Sequence, residues 1–299
     1  MINANRAGES IATKEKIELL NNLAAGVAAT MAPGTARTTL QYTISLTRIW
    51  EHLLEEIAPK SSEMTLDIGC GFGLVNLEIG IRFNAPSVGC DIVPEFIEGA
   101  RMIEGHLRSR GAISPRTTTM FGYGDILELP YGDDSFEVVI VREVLQYLPD
   151  PSIAIAEIFR VLKPGGRVII EDLEDDLYIV EPPNPDSFTL LHGAIARLQK
   201  MKGGNRNVGR KIAPLLYGGG FEISKVSTLT EGAFVDTTSA SFERAFVIEQ
   251  LTSARDELIE KGVLTQEQFD SNVKDLSHQP FHPQFRMNGR IAVQARKPR

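Results

Sequence analysis

In Asp67-Ile68-Gly69-Cys70-Gly71-Phe72-Gly73 a carboxylate and three glycines at alternate positions follow an apolar run that begins at Met64. Glycine permits positive φ and lets a ligand approach the backbone closely, and a helix starting just beyond offers unbonded N–H groups as a partly positive edge. Such a segment suits a nucleotide-like ligand at the carboxyl end of a strand, although the glycine spacing alone fits a plain strand-to-helix turn equally well. A dinucleotide turn places its third glycine three residues after the second, whereas here position 74 is Leu and the glycine is Gly73. Asp67 would repel a pyrophosphate and could hold an ammonium. The pattern therefore favours a ligand with an amino-acid moiety.

The elements that must position this segment are legible in the hydrophobic periodicity. Ile17, Leu20, Leu23, Ala24, Val27 and Met31 fall on one helical face within 13–31. Tyr42, Leu46, Ile49, Trp50, Leu53, Leu54 and Ile57 do the same within 38–57, before Pro59. From Met64 short apolar runs alternate with helical stretches, the signature of βαβ units and a parallel sheet. Strands are expected near 64–69, 87–92, 117–123, 136–141, 167–172, 221–229 and 286–296, with helices near 73–83, 94–110, 151–162 and 208–219. The expected fold is α/β, a doubly wound, seven-stranded, mostly parallel sheet.

Residues 1–60 read as an N-terminal helical extension serving as a lid or an oligomer contact, and 61–299 as the ligand-binding domain. Two stretches exceed the minimal sheet and read as cap insertions, at about 174–208 with a helical piece near 190–201, and at about 231–285 with helices near 242–261 and 266–276.

The formal net charge of −8, with no lysine- or arginine-rich run, opposes the phosphate attraction that supplies most nucleic-acid affinity. The two cysteines, Cys70 and Cys90, each end an apolar run and suit small buried side chains rather than a disulfide framework or a metal site. No 18 apolar residues run together, and Met1 to Ser10 has no signal-peptide core, so a cytoplasmic protein that neither spans membranes nor binds nucleic acid is expected.

Asp67-Ile-Gly-Cys-Gly-Phe-Gly resembles motif I of class I S-adenosylmethionine (SAM)-dependent methyltransferases. The resemblance continues through Asp91, Gly124-Asp125-Ile126-Leu-Glu-Leu-Pro130, Asp134-Ser135-Phe136 and Arg160-Val-Leu-Lys-Pro-Gly-Gly-Arg167, covering roughly 60–230. It implies a Rossmann-like methyltransferase fold with SAM as cofactor. Gly69, Cys70, Gly71 and Gly73 would lie against the methionine part, with Asp67 near its ammonium. Asp91, followed by Ile92, would bind the ribose hydroxyls, and Asp125 and Ile126 would flank the adenine. After the fourth strand the chain reads Arg142-Glu143-Val144-Leu145-Gln146-Tyr147, where many relatives carry histidine. Arg142, Glu143 and Gln146 are assigned to the cofactor or acceptor side, the alternative being that they cap the next turn.

Methyl transfer from a sulfonium is an in-line substitution on an activated carbon, so positioning can supply much of the rate. A general base is needed only where the nucleophile must lose a proton. His192, in the first insertion, is the candidate base; His278, His282, Tyr178, Glu171 and Asp172 are weaker ones. Glu171-Asp172-Leu-Glu174-Asp175-Asp176 holds five carboxylates in six residues, read either as a solvated loop or as a lure for a cationic amine acceptor. No metal site is expected. The function expected is methylation of oxygen, nitrogen or carbon on a small, secondary-metabolite acceptor. A SAM-binding cyclase, decarboxylase or aminopropyltransferase, or a non-catalytic regulator, stands as the alternative. The apolar faces of the N-terminal helices and the cap would equally serve a homo-oligomer.

Overall fold

A computed structural model describes residues 11–32, 34–45, 47–279 and 282–299. Three helices come first: α1 (Ile11–Thr30), α2 (Thr35–Ser45) and α3 (Thr47–Ile57). The helix expected over 38–57 is described as α2 and α3 on either side of Leu46, which lies outside the described residues, as does the segment Met1 to Ser10. The alternating core follows, with β1 (Thr65–Ile68), α4 (Leu74–Phe83), β2 (Ser87–Asp91), α5 (Pro94–Ser109), β3 (Thr119–Tyr123), β4 (Phe136–Arg142), α6 (Pro151–Val161) and β5 (Leu162–Leu173). Then come β6 (Ile179–Glu181), α7 (Asp186–Met201), α8 (Ile212–Gly218), β7 (Glu222–Val235), α9 (Thr237–Glu260), α10 (Gln266–His278) and β8 (Gln284–Arg296).

The strands order as β3-β2-β1-β4-β5-β8-β7, and β6 pairs with β8 beyond the end of β5. β1 to β5 are parallel, and β8 runs antiparallel to β5, β6 and β7. The expected seven strands are present, and β6 is an eighth that its three residues were too few to announce. β5 starts five residues earlier than expected because Leu162 pairs with Phe136 before the Pro164-Gly165-Gly166 irregularity. β7 runs on to Val235 because β8 offers it a partner along its whole length. β1 and β2 are buried throughout, as strands covered on both faces must be.

Caps set the helix starts. Pro94 and Pro151 occupy first-turn positions where no N–H is needed, and Asp150 accepts from the Ser152 N–H at 3.0 Å. Thr265 and Gln268 form a reciprocal capping box at α10. One sheet face packs against α1, α3, α4 and α5 through Trp50, Leu54, Phe72, Leu77 and Ile140, and the other against α6 and α8 through Ile155, Ile158 and Leu216. A third apolar cluster joins α7, α9 and α10, the helical parts of the two expected insertions. The Arg37 guanidinium on α2 meets Glu249 on α9 at 2.8 Å, tying the N-terminal helices to that cluster. The strand order reverses between β1 and β4, the point at which open α/β sheets form a ligand crevice beyond the carboxyl ends of their strands.

Candidate active site

The glycine segment spans β1 and α4. Gly69, Gly71 and Gly73 have φ of 69°, 54° and 69°, values that L side chains rarely adopt. Their surroundings separate their tasks. A Cβ at Gly69 would stand 2.3 Å from Val144 Cγ2 and one at Gly73 2.3 Å from the Phe121 ring, so these two let the chain pack on itself. A Cβ at Gly71 would meet nothing within 4 Å, leaving its face open to a ligand. Asp91 fixes that turn: Oδ2 accepts from the Gly71 N–H at 2.8 Å and Oδ1 from the Val93 N–H at 2.9 Å. Ile92 next to it is exposed, Ile126 is buried, and Asp125 accepts from the Leu127 N–H at 2.9 Å. Cys70 and Cys90 are both free thiols, buried and pushed up from the ordinary thiol pKa by that burial.

A row of alternating charge crosses the sheet at the crevice. The register puts Asp67 of β1, Arg142 of β4, and Glu171 of β5 on one face, with Arg290 of β8 beside them. Arg142 Nη1 lies 3.9 Å from Glu171, and Arg290 Nε 3.3 Å from it. Neither Glu171 oxygen makes a hydrogen bond among the described residues, nor does Asp67 Oδ2. Burial pushes Asp67 up to about 7, against the pull of Arg142 and with a push from Asp91. It pushes Glu171 up as well, against Arg142 and Arg290. Buried carboxylate oxygens lacking donors, beside a glycine open to a ligand, fit a group carrying positive charge.

The N-terminal helices close this row from above. The Arg142 guanidinium lies 4.6 Å from the Trp50 ring centroid, and Trp50 Nε1 donates to Glu78 Oε2 at 2.6 Å. Burial raises Glu78 to about 7, the Trp50 bond opposing. Arg290 Nε donates to Glu143 Oε1 at 2.8 Å and Nη2 to Tyr42 Oη at 2.9 Å. Trp50, Tyr42, Glu78 and Arg290 were not singled out as site residues in the sequence. The one available signal was Arg290 at the head of the apolar stretch Ile291-Ala292-Val293 in the last strand.

Gln146 is buried beneath α7, its carbonyl accepting from Gln199 Nε2 at 2.9 Å and from the Asn205 N–H at 2.8 Å. It anchors the first insertion to the strand end. His192 lies on α7 with its ring parallel to Phe188, centroids 5.9 Å apart. Desolvation on its packed side and then Arg206 hold its pKa below the usual imidazole value, which keeps it neutral. Tyr178 accepts from Asn184 Nδ2 at 2.9 Å, while His278 and His282 are exposed.

The acidic run is not solvated throughout: Asp176 is exposed and Asp175 half-buried, but the other three are neither. Glu171, Asp172 and Glu174 are buried, since strand alternation turns the first two to opposite faces and both faces are covered. Asp172 accepts from the Gln146 and Leu173 N–H groups, and burial pushes it up to about 8. Glu174 pairs with Arg210 Nε at 2.7 Å, Asp175 with Arg206, and Asp176 with Arg210 and Asn207. Their charge is absorbed within the fold.

An open groove of about 720 Å³ between α6 and α8, lined by Ile155, Phe159 and Leu215, lies apart from the glycine segment. Among the described residues no group of three or more His, Cys, Asp or Glu could hold a metal ion, and no helix is long and apolar enough to cross a membrane.

Residues 66–170, which contain the glycine segment, Asp91, Asp125 and the charge row as far as β5, match the methyltransferase domain family. Residues 66–170 thus carry a methyltransferase domain. The cofactor of such a domain is SAM. The domain is 33% identical over 131 residues to the O-methyltransferase cnsE of Penicillium expansum, 44% of each chain. It is 32% identical over 128 residues to the 27-O-demethylrifamycin SV methyltransferase of Amycolatopsis mediterranei, 42% of this chain and 44% of the relative. The similarity thus spans less than half the length of either relative. A solved Bacillus halodurans structure, described as a methyltransferase, shares the fold with a TM-score of 0.55 at 20% identity, over 83% of this chain and 98% of its own.

Proposed function

We propose that the chain transfers a methyl group from SAM to a hydroxyl oxygen of a small-molecule, secondary-metabolite acceptor. The observation that carries this reading is the open face of Gly71, whose N–H the Asp91 carboxylate holds, with the unpaired Asp67 Oδ2 at the end of the same strand. Asp91, already oriented by two N–H groups, is suited to the ribose hydroxyls. Ile92 and Ile126 are suited to the faces of the adenine, with Asp125 at its amino edge. Gly69, Cys70 and Gly73 shape the turn around the methionine part. Asp67 is suited to its ammonium, and Arg142 to its carboxylate.

Oxygen is the acceptor atom that the names of both relatives specify. The α7, α9 and α10 helices, tied to α2 through Arg37 and Glu249, form the cover over the acceptor side. His192 serves as a wall of that side and, being neutral, as a secondary proton acceptor. The two buried free thiols are in keeping with work in the cytoplasm.

Calorimetry with S-adenosylhomocysteine, followed by incubation of methyl-tritiated SAM with a metabolite extract, tests the reading. Binding of the nucleoside and label in a small product are expected. Stabilisation by NAD with none by S-adenosylhomocysteine would overturn it.

A further inference from the structure

Glu143 is the residue whose geometry the foregoing leaves unused. It follows β4 with φ of 54°, a left-handed conformation that a side chain makes costly. Among the described residues the other non-glycine positive-φ positions are Ala58, Asn84 and Asp134; the first two follow helix ends, and Asp134 lies in the turn before β4. Only Glu143 stands at a strand end on the crevice. Its backbone is held there by its N–H, which donates to the Glu171 carbonyl at 2.9 Å, and Val144 after it packs on Gly69. The twist turns the carboxylate toward Arg290 and the cap. Oε1 is taken by Arg290 Nε at 2.8 Å, and Arg290 is itself held by Tyr42 Oη. Oε2 makes no hydrogen bond to any described residue, and the side chain, at the carboxyl end of β4, keeps 16% of its exposure.

We propose that Glu143 is a catalytic residue: Oε2 accepts the hydrogen bond of the acceptor's hydroxyl, aims its oxygen at the methyl carbon and receives its proton, with Arg290 and Tyr42 as positioning residues. The inference rests on the methyl-transfer reading above. In the step, the acceptor oxygen forms its bond to the methyl carbon while the carbon–sulfur bond breaks and leaves its electron pair on sulfur. The hydroxyl proton passes to Glu143, so a cationic donor, a neutral alcohol and a carboxylate become a thioether, an ether and a carboxylic acid. A strong base is unnecessary, because the hydroxyl turns strongly acidic as its oxygen gives up electron density.

Burial pushes the Glu143 carboxyl up, but Arg290, Arg142 and Arg206 outweigh it, so the net shift is downward and the group is ionised at neutral pH. The other titratable groups facing it are Glu171 and Asp172 of β5, Tyr42 of α2 and Tyr147 of the turn after β4.

The test compares the full chain with Glu143→Gln and Glu143→Asp, using tritiated SAM and the metabolite extract for turnover and S-adenosylhomocysteine calorimetry for the cofactor site. Expected for Glu143→Gln is nucleoside affinity within about twofold of wild type and transfer slower by about 100-fold or more. Glu143→Asp, which keeps the carboxylate, should recover part of that rate. The acid limb that wild type shows in the carboxylate range should vanish in Glu143→Gln, while limbs from Asp67 and Asp172 nearer neutrality persist. Wild-type transfer by Glu143→Gln, or loss of nucleoside affinity in it, would overturn the proposal and leave the methyl-transfer reading standing. A wild type that binds the nucleoside but moves no methyl would overturn both.

Discussion

The Arg142 guanidinium at the end of β4 stacks 4.6 Å from the centroid of the Trp50 ring on α3, so a helix that precedes the whole sheet holds a charge beside the glycine segment. The same indole donates to Glu78 on α4. Trp50 thus ties three elements together through one buried side chain.

Replacing Trp50 with Phe keeps a ring under Arg142 and removes the donor to Glu78. Leaving Oε2 of that buried carboxylate without its donor, with Oε1 still held by Arg82, should destabilise the fold by about 1–3 kcal/mol. Urea denaturation should find the loss larger at pH 8 than at pH 6, because Glu78, near 7 in the fold, must carry its charge at the higher pH. An equal loss at both would refute the assignment.

Asp67, Glu78 and Asp172 have folded pKa values of about 7, 7 and 8, all above the unfolded carboxylate range. The folded state therefore binds more protons than the unfolded state between roughly pH 4 and 8. The stability these groups contribute is complete below the unfolded pKa and is lost as pH rises through 7 to 8. The unliganded protein should accordingly gain stability from pH 8 to pH 6, and Asp67→Asn should flatten that slope. Bound SAM should flatten it too, by supplying a cation to Asp67. Unfolding midpoints across this window decide the matter.

Gly71→Ala and Gly73→Ala should part company. Both impose a side chain on positive φ, costing about 1–2 kcal/mol. At Gly73 the new methyl also strikes the Phe121 ring, adding about 1–3 kcal/mol of overpacking. At Gly71 it enters open space, so the melting temperature should fall by a few degrees only, less than for Gly73→Ala, while S-adenosylhomocysteine affinity falls at least about tenfold, about 1.4 kcal/mol. The reverse pattern would place the ligand elsewhere.

Asp91→Ala frees the Gly71 and Val93 N–H groups and removes the carboxylate offered to a ribose. Hydrogen bonds to charged groups contribute about 1.5–3 kcal/mol, so nucleoside affinity should drop about 10- to 100-fold. Circular dichroism should be unchanged, and calorimetry measures the loss.

Much of the cofactor side was legible before the fold. Gly69, Gly71 and Gly73, Asp91, Asp125 and the Lys163-Pro164-Gly165 turn are local signals, because backbone conformation and strand ends are set by residues a few positions apart. The acidic run shows where local reading stops. Its composition permitted solvent or an amine, and only the tertiary structure brought Arg206 and Arg210 to Glu174, Asp175 and Asp176.

His192 drew notice through its place in an insertion, yet Glu143, at the carboxyl end of β4, is the group whose carboxylate keeps an oxygen without a hydrogen bond to any described residue. Positive φ on a glutamate cannot be read from sequence, since it exists only because the Glu171 carbonyl and Arg290 hold it there.

By itself, then, the sequence determined the alternating α/β plan and the strand-end turn, since each follows from periodicity and short-range backbone constraint, while the class of ligand came through the family resemblance. The tertiary structure alone decided which charges meet. The strand order that sets β4 between β1 and β5, and β5 beside β8, lines up Asp67, Arg142, Glu171 and Arg290. The packing of α2 and α3 over that row brings Tyr42 and Trp50 to it. Electrostatic partners are chosen by distance in space, and that distance is written by the assembled sheet.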